Sequence, residues 1–279
     1  MVVKAFLIIF LLVGSLVPCR PAESNEWKLI WSDEFEKPGL PDPAKWSFET
    51  GFIRNNEAQY YTKDNARVEN GMLIIEAKKE RFKNPGFDPT ATTNRRGRNR
   101  EFADYTSASL TTRSKASWTY GRIEVRAKLP SGKGTWPAIW TLGTNSAQVG
   151  WPACGEIDIM EFVGFEPGTI HANIHTREYN HVRKTGKGSR IKIADASQTF
   201  HVYTLEWDAE HLDFFVDNEK YFTYLNDKTG SGAWPYDKDQ YLILNLAIGG
   251  TWGGQQGIDD AIFPQRFLID YVRVYQKKE

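Results

Sequence analysis

The chain has 279 residues, enough for one large β-sandwich with its own core. Lys plus Arg and Asp plus Glu both number 35, and this zero net charge argues against a general nucleic-acid or polyanion binder. Aromatic residues make up 14%, including 10 Trp, which points to a Trp-rich core or to a surface that stacks on ligands, sugars foremost.

In chain order, residues 1–22 have the form of an export signal. Lys4 is followed by the apolar run Ala5–Val17 and then by small or turn-forming residues. The run is short for a membrane span. Cys19 offers a second reading as the acylation site of a bacterial lipoprotein, which Pro18 fits poorly. Removal of the signal leaves Cys154 alone, so neither an internal disulfide nor a multi-cysteine metal site is available. Residues 23–279 contain no repeat or linker and read as a single domain.

From Trp27 onward the pattern is strands and turns. Trp27–Ser32, Met72–Ala77, Ser107–Arg113, Gly121–Lys128, Pro137–Leu142, Glu156–Phe162, Thr169–His175, His201–Asp208, His211–Asp217, Tyr221–Leu225, Gln240–Gly249 and Phe267–Gln276 read as strands. In Gly121–Lys128, Ile123, Val125 and Ala127 face one side, and Arg122, Glu124, Arg126 and Lys128 the other. Asp208–His211 and Asp217–Lys220 read as hairpin loops. No segment has a long helical period. The fold class is therefore all-β, a two-sheet jelly-roll sandwich. Residues 78–105 are the least strand-like, and Arg95, Arg96, Arg98 and Arg100 cluster there. That cluster reads as a solvated loop, with an anionic partner as the alternative.

The most informative stretch is Gly-Glu-Ile-Asp-Ile-Met-Glu-Phe-Val-Gly, residues 155–164. On a strand Glu156 and Asp158 share one face, and Ile157 and Ile159 turn to the core. Simple alternation puts Glu161 on the apolar side. A β-bulge near Met160 returns it to the face of its partners. Such a row is costly in a purely structural strand, because adjacent like charges raise each other's pKa. Two chemistries explain it. One is a metal site, with His171 and His175 on the next strand as the nearest imidazoles. The other is paired acid/base work of the kind glycoside hydrolysis needs, where retaining carboxyls lie roughly 5–5.5 Å apart. At about 3.3 Å per paired residue the Cα atoms of Glu156 and Glu161 are roughly 13 Å apart, so both side chains must lean inward over Asp158.

With Trp-Pro-Ala-Ile-Trp before it, and Leu-Ile-Leu-Asn-Leu-Ala-Ile-Gly-Gly and Ile-Asp-Tyr-Val-Arg-Val-Tyr-Gln after it, this motif resembles the laminarinase and lichenase enzymes of glycoside hydrolase family 16. The likeness covers most of residues 27–276, and the extra Met160 resembles the laminarinase branch. The resemblance implies a jelly roll with a concave substrate cleft. It implies a retaining endo-β-glucanase acting on 1,3-β or mixed 1,3-1,4-β bonds, with Glu156 as nucleophile, Glu161 as general acid/base and Asp158 as the partner that tunes them. It also implies substrate contacts from His175 and from Asn55, with Asn56 as the alternative. It implies no cofactor for catalysis, and a structural Ca²⁺ at Asp270 as in several relatives. The expected partner is a β-glucan polysaccharide, and the expected protein is a secreted monomer with no membrane span.

Trp136 and Trp140 share a strand face and suit the C–H face of a pyranose, with core packing as the alternative. For Trp252 the resemblance implies the same, and the neighbouring glycines would let backbone approach a sugar. Three other readings compete. A carbohydrate-binding jelly roll leaves the carboxylate row unexplained. A serine hydrolase lacks its Gly-x-Ser-x-Gly turn. A β-galactanase of the same family, acting on agar- or carrageenan-like polymers, would draw on the basic loop.

Overall fold

Alternation along the chain builds two sheets that share one apolar layer. The computed structural model describes residues 26–93 and 95–278. The export signal and Cys19 lie outside these residues. Among the described residues no helix is long and apolar enough to cross a membrane. The strands are β1 (Trp27–Asp33), β2 (Ser47–Glu49), β3 (Gln59–Tyr61), β4 (Ala66–Glu69), β5 (Met72–Lys83), β6 (Phe102–Ser107), β7 (Ser109–Thr111), β8 (Gly121–Lys128) and β9 (Thr135–Gly143). They continue with β10 (Glu156–Glu161), β11 (Thr169–His175), β12 (Lys187–Lys192), β13 (His201–Trp207), β14 (His211–Val216), β15 (Glu219–Leu225), β16 (Gln240–Ile248) and β17 (Gln265–Lys277). The helices α1 (Ser146–Val149) and α2 (Gly250–Gly253) are single turns.

One sheet runs β15-β14-β13-β8-β17-β5-β6-β3, with β1 beside β17 and β4 beside β5; the other runs β12-β11-β10-β9-β16-β7-β2. The core lies between them. Ile139, Ile157, Ile170, Ile174, Leu242 and Leu244 from the second sheet meet Ile123, Val125, Leu205, Phe214, Phe267 and Val272 from the first. β8 keeps the expected alternation along its whole length, with Ile123, Val125 and Ala127 buried. Both expected hairpin loops form. Asp208 Oδ1 accepts from the backbone N–H groups of Glu210 at 2.8 Å and His211 at 3.0 Å, and Asp217 and Asn218 supply the positive φ of a tight turn.

The strand expectations need correction at β2, β3, β4, β6 and β12. β2, β3 and β4 have three or four residues, too few to display a period. Part of the supposed loop at 78–105 is strand: β5 continues to Lys83 and pairs with β6. β12 reads Lys-Gly-Ser-Arg-Ile-Lys and sits exposed at the sheet edge beside β11.

Candidate active site

The expected bulge is present. Against β9, Asp158 pairs with Trp140 and Met160 with Ile139; against β11, Asp158 pairs with Asn173 and Glu161 with His171. β10 therefore holds one residue more than either neighbour at this point. Ile159 and Met160 both turn into the core between the sheets. Glu156, Asp158 and Glu161 all face a cleft of about 780 Å³ on the outer side of the seven-stranded sheet.

Each carboxyl has its own surroundings. Trp136 Nε1 donates to Glu161 Oε1 at 3.1 Å, and Asn173 Nδ2 donates to Oε2 at 2.9 Å. Trp151 Nε1 donates to Glu156 Oε2 at 3.0 Å. His175 Nε2 stands 3.5 Å from Glu156 Oε1 and 3.2 Å from Asp158 Oδ2. Burial, then the charge of Asp158, pushes the Glu156 carboxyl up to about 8. Burial, then Glu161, holds Asp158 well above the carboxylate range.

This electrostatic arrangement has a stability consequence. An acid raised in the folded state keeps its proton there while the unfolded chain has released it. Stability therefore falls as pH rises from the ordinary 4.5 through about 8. Glu156→Gln removes that loss. Its Tm should exceed that of the wild type at pH 8, and the gap should shrink toward pH 4.5. Melting curves at the two pH values check this. A gap independent of pH would contradict it.

Among the other expected site residues, Asn55, Trp136, Trp140, His175 and Trp252 all line the cleft. Asn56 is exposed and outside the lining. Asn55 is held by Glu57, whose Oε1 accepts from Asn55 Nδ2 at 3.3 Å. Trp140 combines both of its readings. It is buried, its Nε1 donates to Asn245 Oδ1 at 2.7 Å, and Arg54 lies 4.9 Å from its ring on the cleft side. Trp136 and Trp252 meet edge to face at 5.6 Å. Trp46, Trp118, Trp207 and Trp234 belong to the core, so the Trp content divides between the two explanations.

Three expectations are corrected. The glycines beside Trp252 make room for protein. A Cβ on Gly250 would lie 3.1 Å from Asn55 O, and one on Gly253 would lie 2.8 Å from Trp136 Cβ. His171 does not join the carboxylate row; its Nε2 lies 3.2 Å from Glu166 Oε2 and its ring packs on Trp252. Asp270 does not fit a Ca²⁺ site. Arg126 Nη1 donates to its Oδ2 at 2.6 Å, where a cation would meet like charge. Among the described residues no metal-sized group of acidic or histidine side chains includes Asp270. The basic loop keeps its solvated reading at Arg96 and Arg98, both exposed. Arg98 pairs with Asp88 at 2.6 Å, while Arg100 packs over Phe52 and donates to the carbonyls of Glu57 at 2.9 Å and Ala58 at 3.0 Å. Arg100 thus braces the segment that carries Asn55.

Sequence reasoning missed Trp151, Asn173, His181, Arg54, Glu57 and Asn245, all of which line the cleft. Asn173 was within reach, since alternation on β11 puts it on the face of His171 and His175. Trp151 sits on the loop before β10, where no period applies. Glu57 is buried beneath the cleft, with Gln59 Nε2 donating at 2.7 Å and the Tyr61 hydroxyl at 3.2 Å. Burial raises its carboxyl, and Arg54 opposes that rise.

With this geometry in view, comparison with known proteins gives a family. Residues 54–273 match the family described as glycosyl hydrolases family 16. A beta-glucanase of Rhodothermus marinus is 46% identical, over 98% of this chain and 93% of that protein. A glucan endo-1,3-beta-glucosidase of Cryptopygus antarcticus is 36% identical, over 88% and 91%. The X-ray structure of the laminarinase from Rhodothermus marinus superposes with a TM-score of 0.82 at 46% identity, covering 91% of this chain and 98% of that one. The matched span contains the bulged strand, both of its neighbours and the cleft floor, and the chain belongs to glycosyl hydrolases family 16.

Proposed function

We propose that this glycoside hydrolase is a retaining, endo-acting β-glucanase that cleaves 1,3-β or mixed 1,3-1,4-β glucosidic bonds by double displacement. The observation that carries the reading is the row of Glu156, Asp158 and Glu161 on the cleft floor, with indole and amide donors fixed on the two glutamates. Glu156 attacks the anomeric carbon while Glu161 gives its proton to the departing glycosidic oxygen. The C–O bond breaks and a glycosyl ester forms on Glu156. Glu161, now a carboxylate, takes a proton from water, which attacks the same carbon and frees Glu156. Trp136 and Asn173 hold both oxygens of Glu161, so the proton leaves from a fixed position. Burial and then Glu161 favour the protonated form of Asp158, and in that form it withdraws the charge that raises Glu156, which lets Glu156 ionise for attack.

The cleft lining extends from Glu49 and Arg54 on one side to Trp151 and His181 on the other, which suits an internal bond of a polymer. No cofactor enters these steps. The remaining parts of the proposal are export by the 1–22 segment, one catalytic domain over 23–279, and action as a monomer.

Reducing-end release from laminarin, barley mixed-linkage glucan, agarose and carrageenan tests the substrate class, and the two glucans should be the ones cut. Proton NMR of the first product should show the β-anomer. An α-anomer would refute retention, and absence of turnover on every polymer would refute the enzyme.

A further inference from the structure

Asp158 is the most enclosed member of the row. Its side chain is 4% exposed, and Oδ2 has no hydrogen-bond partner. A buried acceptor left open is costly and points to something that fills it. His175 Nε2 lies 3.2 Å from Oδ2. The same nitrogen lies 3.5 Å from Glu156 Oε1, and the three groups each bring one ligand atom within 4.8 Å of the others. Two ligands of a tetrahedral ion with bonds of about 2.0–2.1 Å stand roughly 3.3 Å apart. The two distances from His175 bracket that edge. The third side, between the two acids, is no longer than 4.8 Å.

We propose that Glu156 Oε1, Asp158 Oδ2 and His175 Nε2 bind one divalent transition-metal ion, Zn²⁺ or Cu²⁺, and that the bound ion blocks glucan hydrolysis. One imidazole with two carboxylates suits these metals, and each acid gives up its proton as the ion enters. Ca²⁺ asks for six or more oxygens and Mg²⁺ for octahedral oxygen and water, so neither fits. Among the described residues no other such group of three is gathered. The site carries a mark of inhibition rather than of a resident cofactor. His175 Nδ1 is buried without a partner, so no carbonyl or carboxylate fixes the ring as a metal ligand. Such outer partners are worth about 10–100-fold in affinity, and their absence leaves a site that fills and empties with the metal supply. A glutamate that ligates the ion cannot attack a sugar, and the ion occupies the floor on which the sugar would lie.

Trp151 is the built-in reporter. Its Nε1 donates to Glu156 Oε2 at 3.0 Å and its ring lies 5.8 Å from that of His175. An ion held by Glu156 and His175 lies beside this indole, close enough for Cu²⁺ to quench it.

The inhibition half of the proposal rests on Glu156 being the nucleophile; the binding half does not. The full chain, freed of metal, is titrated with ZnCl₂ by calorimetry and with CuCl₂ by tryptophan fluorescence. Laminarin hydrolysis is followed in parallel at rising Zn²⁺ and rising substrate. The expected results are one ion per chain, fluorescence quenching by Cu²⁺ that EDTA reverses, and a rise in apparent KM with Zn²⁺ at constant kcat. Asp158→Asn and His175→Gln should each weaken Zn²⁺ binding by at least about tenfold, while His171→Gln should not. Cooperative melting of each variant shows that it is folded. Zn²⁺ affinity unchanged in both folded variants would overturn the site. Binding lost in the variants without competition against laminarin would overturn the inhibition. A wild type that binds Zn²⁺ but cuts no glucan would refute the catalytic reading and leave the metal site standing.

Discussion

With Glu156→Ala, laminarin turnover falls by about 10⁴-fold or more, and sodium azide restores part of it as an α-glycosyl azide. The size follows from the double displacement. Without the side chain no glycosyl ester forms, and the acid alone offers only a fraction of the acceleration. The small methyl leaves room for an azide ion on the face that Glu156 used. One displacement there inverts a β-glucan to the α-product. Glu161→Ala behaves differently. Glu156 still attacks, and substrates with good leaving groups still form the glycosyl-enzyme. Azide then replaces the water that Glu161 would have activated, and the second inversion gives the β-azide. The anomeric configuration of the two azides, read by NMR, assigns each glutamate. Exchanged products would exchange the roles.

Gly164→Ala should lower Tm by roughly 6–12 °C, the equivalent of about 3 kcal/mol or more. Gly164 follows the catalytic strand, and its N–H donates to Thr135 O at 2.9 Å. A Cβ there would lie 1.8 Å from Gly132 O and 2.4 Å from Thr135 Oγ1. The first of these atoms is backbone. The second is tied to it, since Thr135 Oγ1 donates to Gly132 O at 2.9 Å. Nothing flexible can give way, so the end of β10 must move off β9. Activity should fall as well, because Glu161 lies three residues earlier. Gly86→Ala is the control. Gly86 is exposed, and its Cβ would approach only Asn84 Oδ1, at 3.4 Å. Calorimetry of the two variants tests the packing; equal melting temperatures would show that it is wrong.

The site was more legible in the sequence than the sheet that carries it. Glu156, Asp158 and Glu161 could be placed because a strand has only two faces, and three acids with one extra residue leave few arrangements. The bulge at Ile159 and Met160 followed from that count. The partners of the acids were harder. Trp151 and His181 come from loops, and their approach to Glu156 and His175 depends on tertiary packing. The web of Arg54, Glu57, Tyr61 and Asn245 is polar and lies beneath a cleft, where hydropathy gives no signal. Asp270 was misread for a related reason. Sequence position supplied the carboxylate but gave no sign of Arg126, which sits on β8 across the strand pair.

β12 escaped detection because its side chains are mostly charged or small, and this composition bears on behaviour at high concentration. The strand ends the seven-stranded sheet and leaves one row of backbone groups without a ladder partner. Lys187, Arg190 and Lys192 are exposed along it. Two copies meeting at this edge would bring like charges together before any ladder could form. The opposite edge, β2, is only three residues long and offers little to extend. The sheet that holds the cleft is thereby protected at both ends against growing into a fibre.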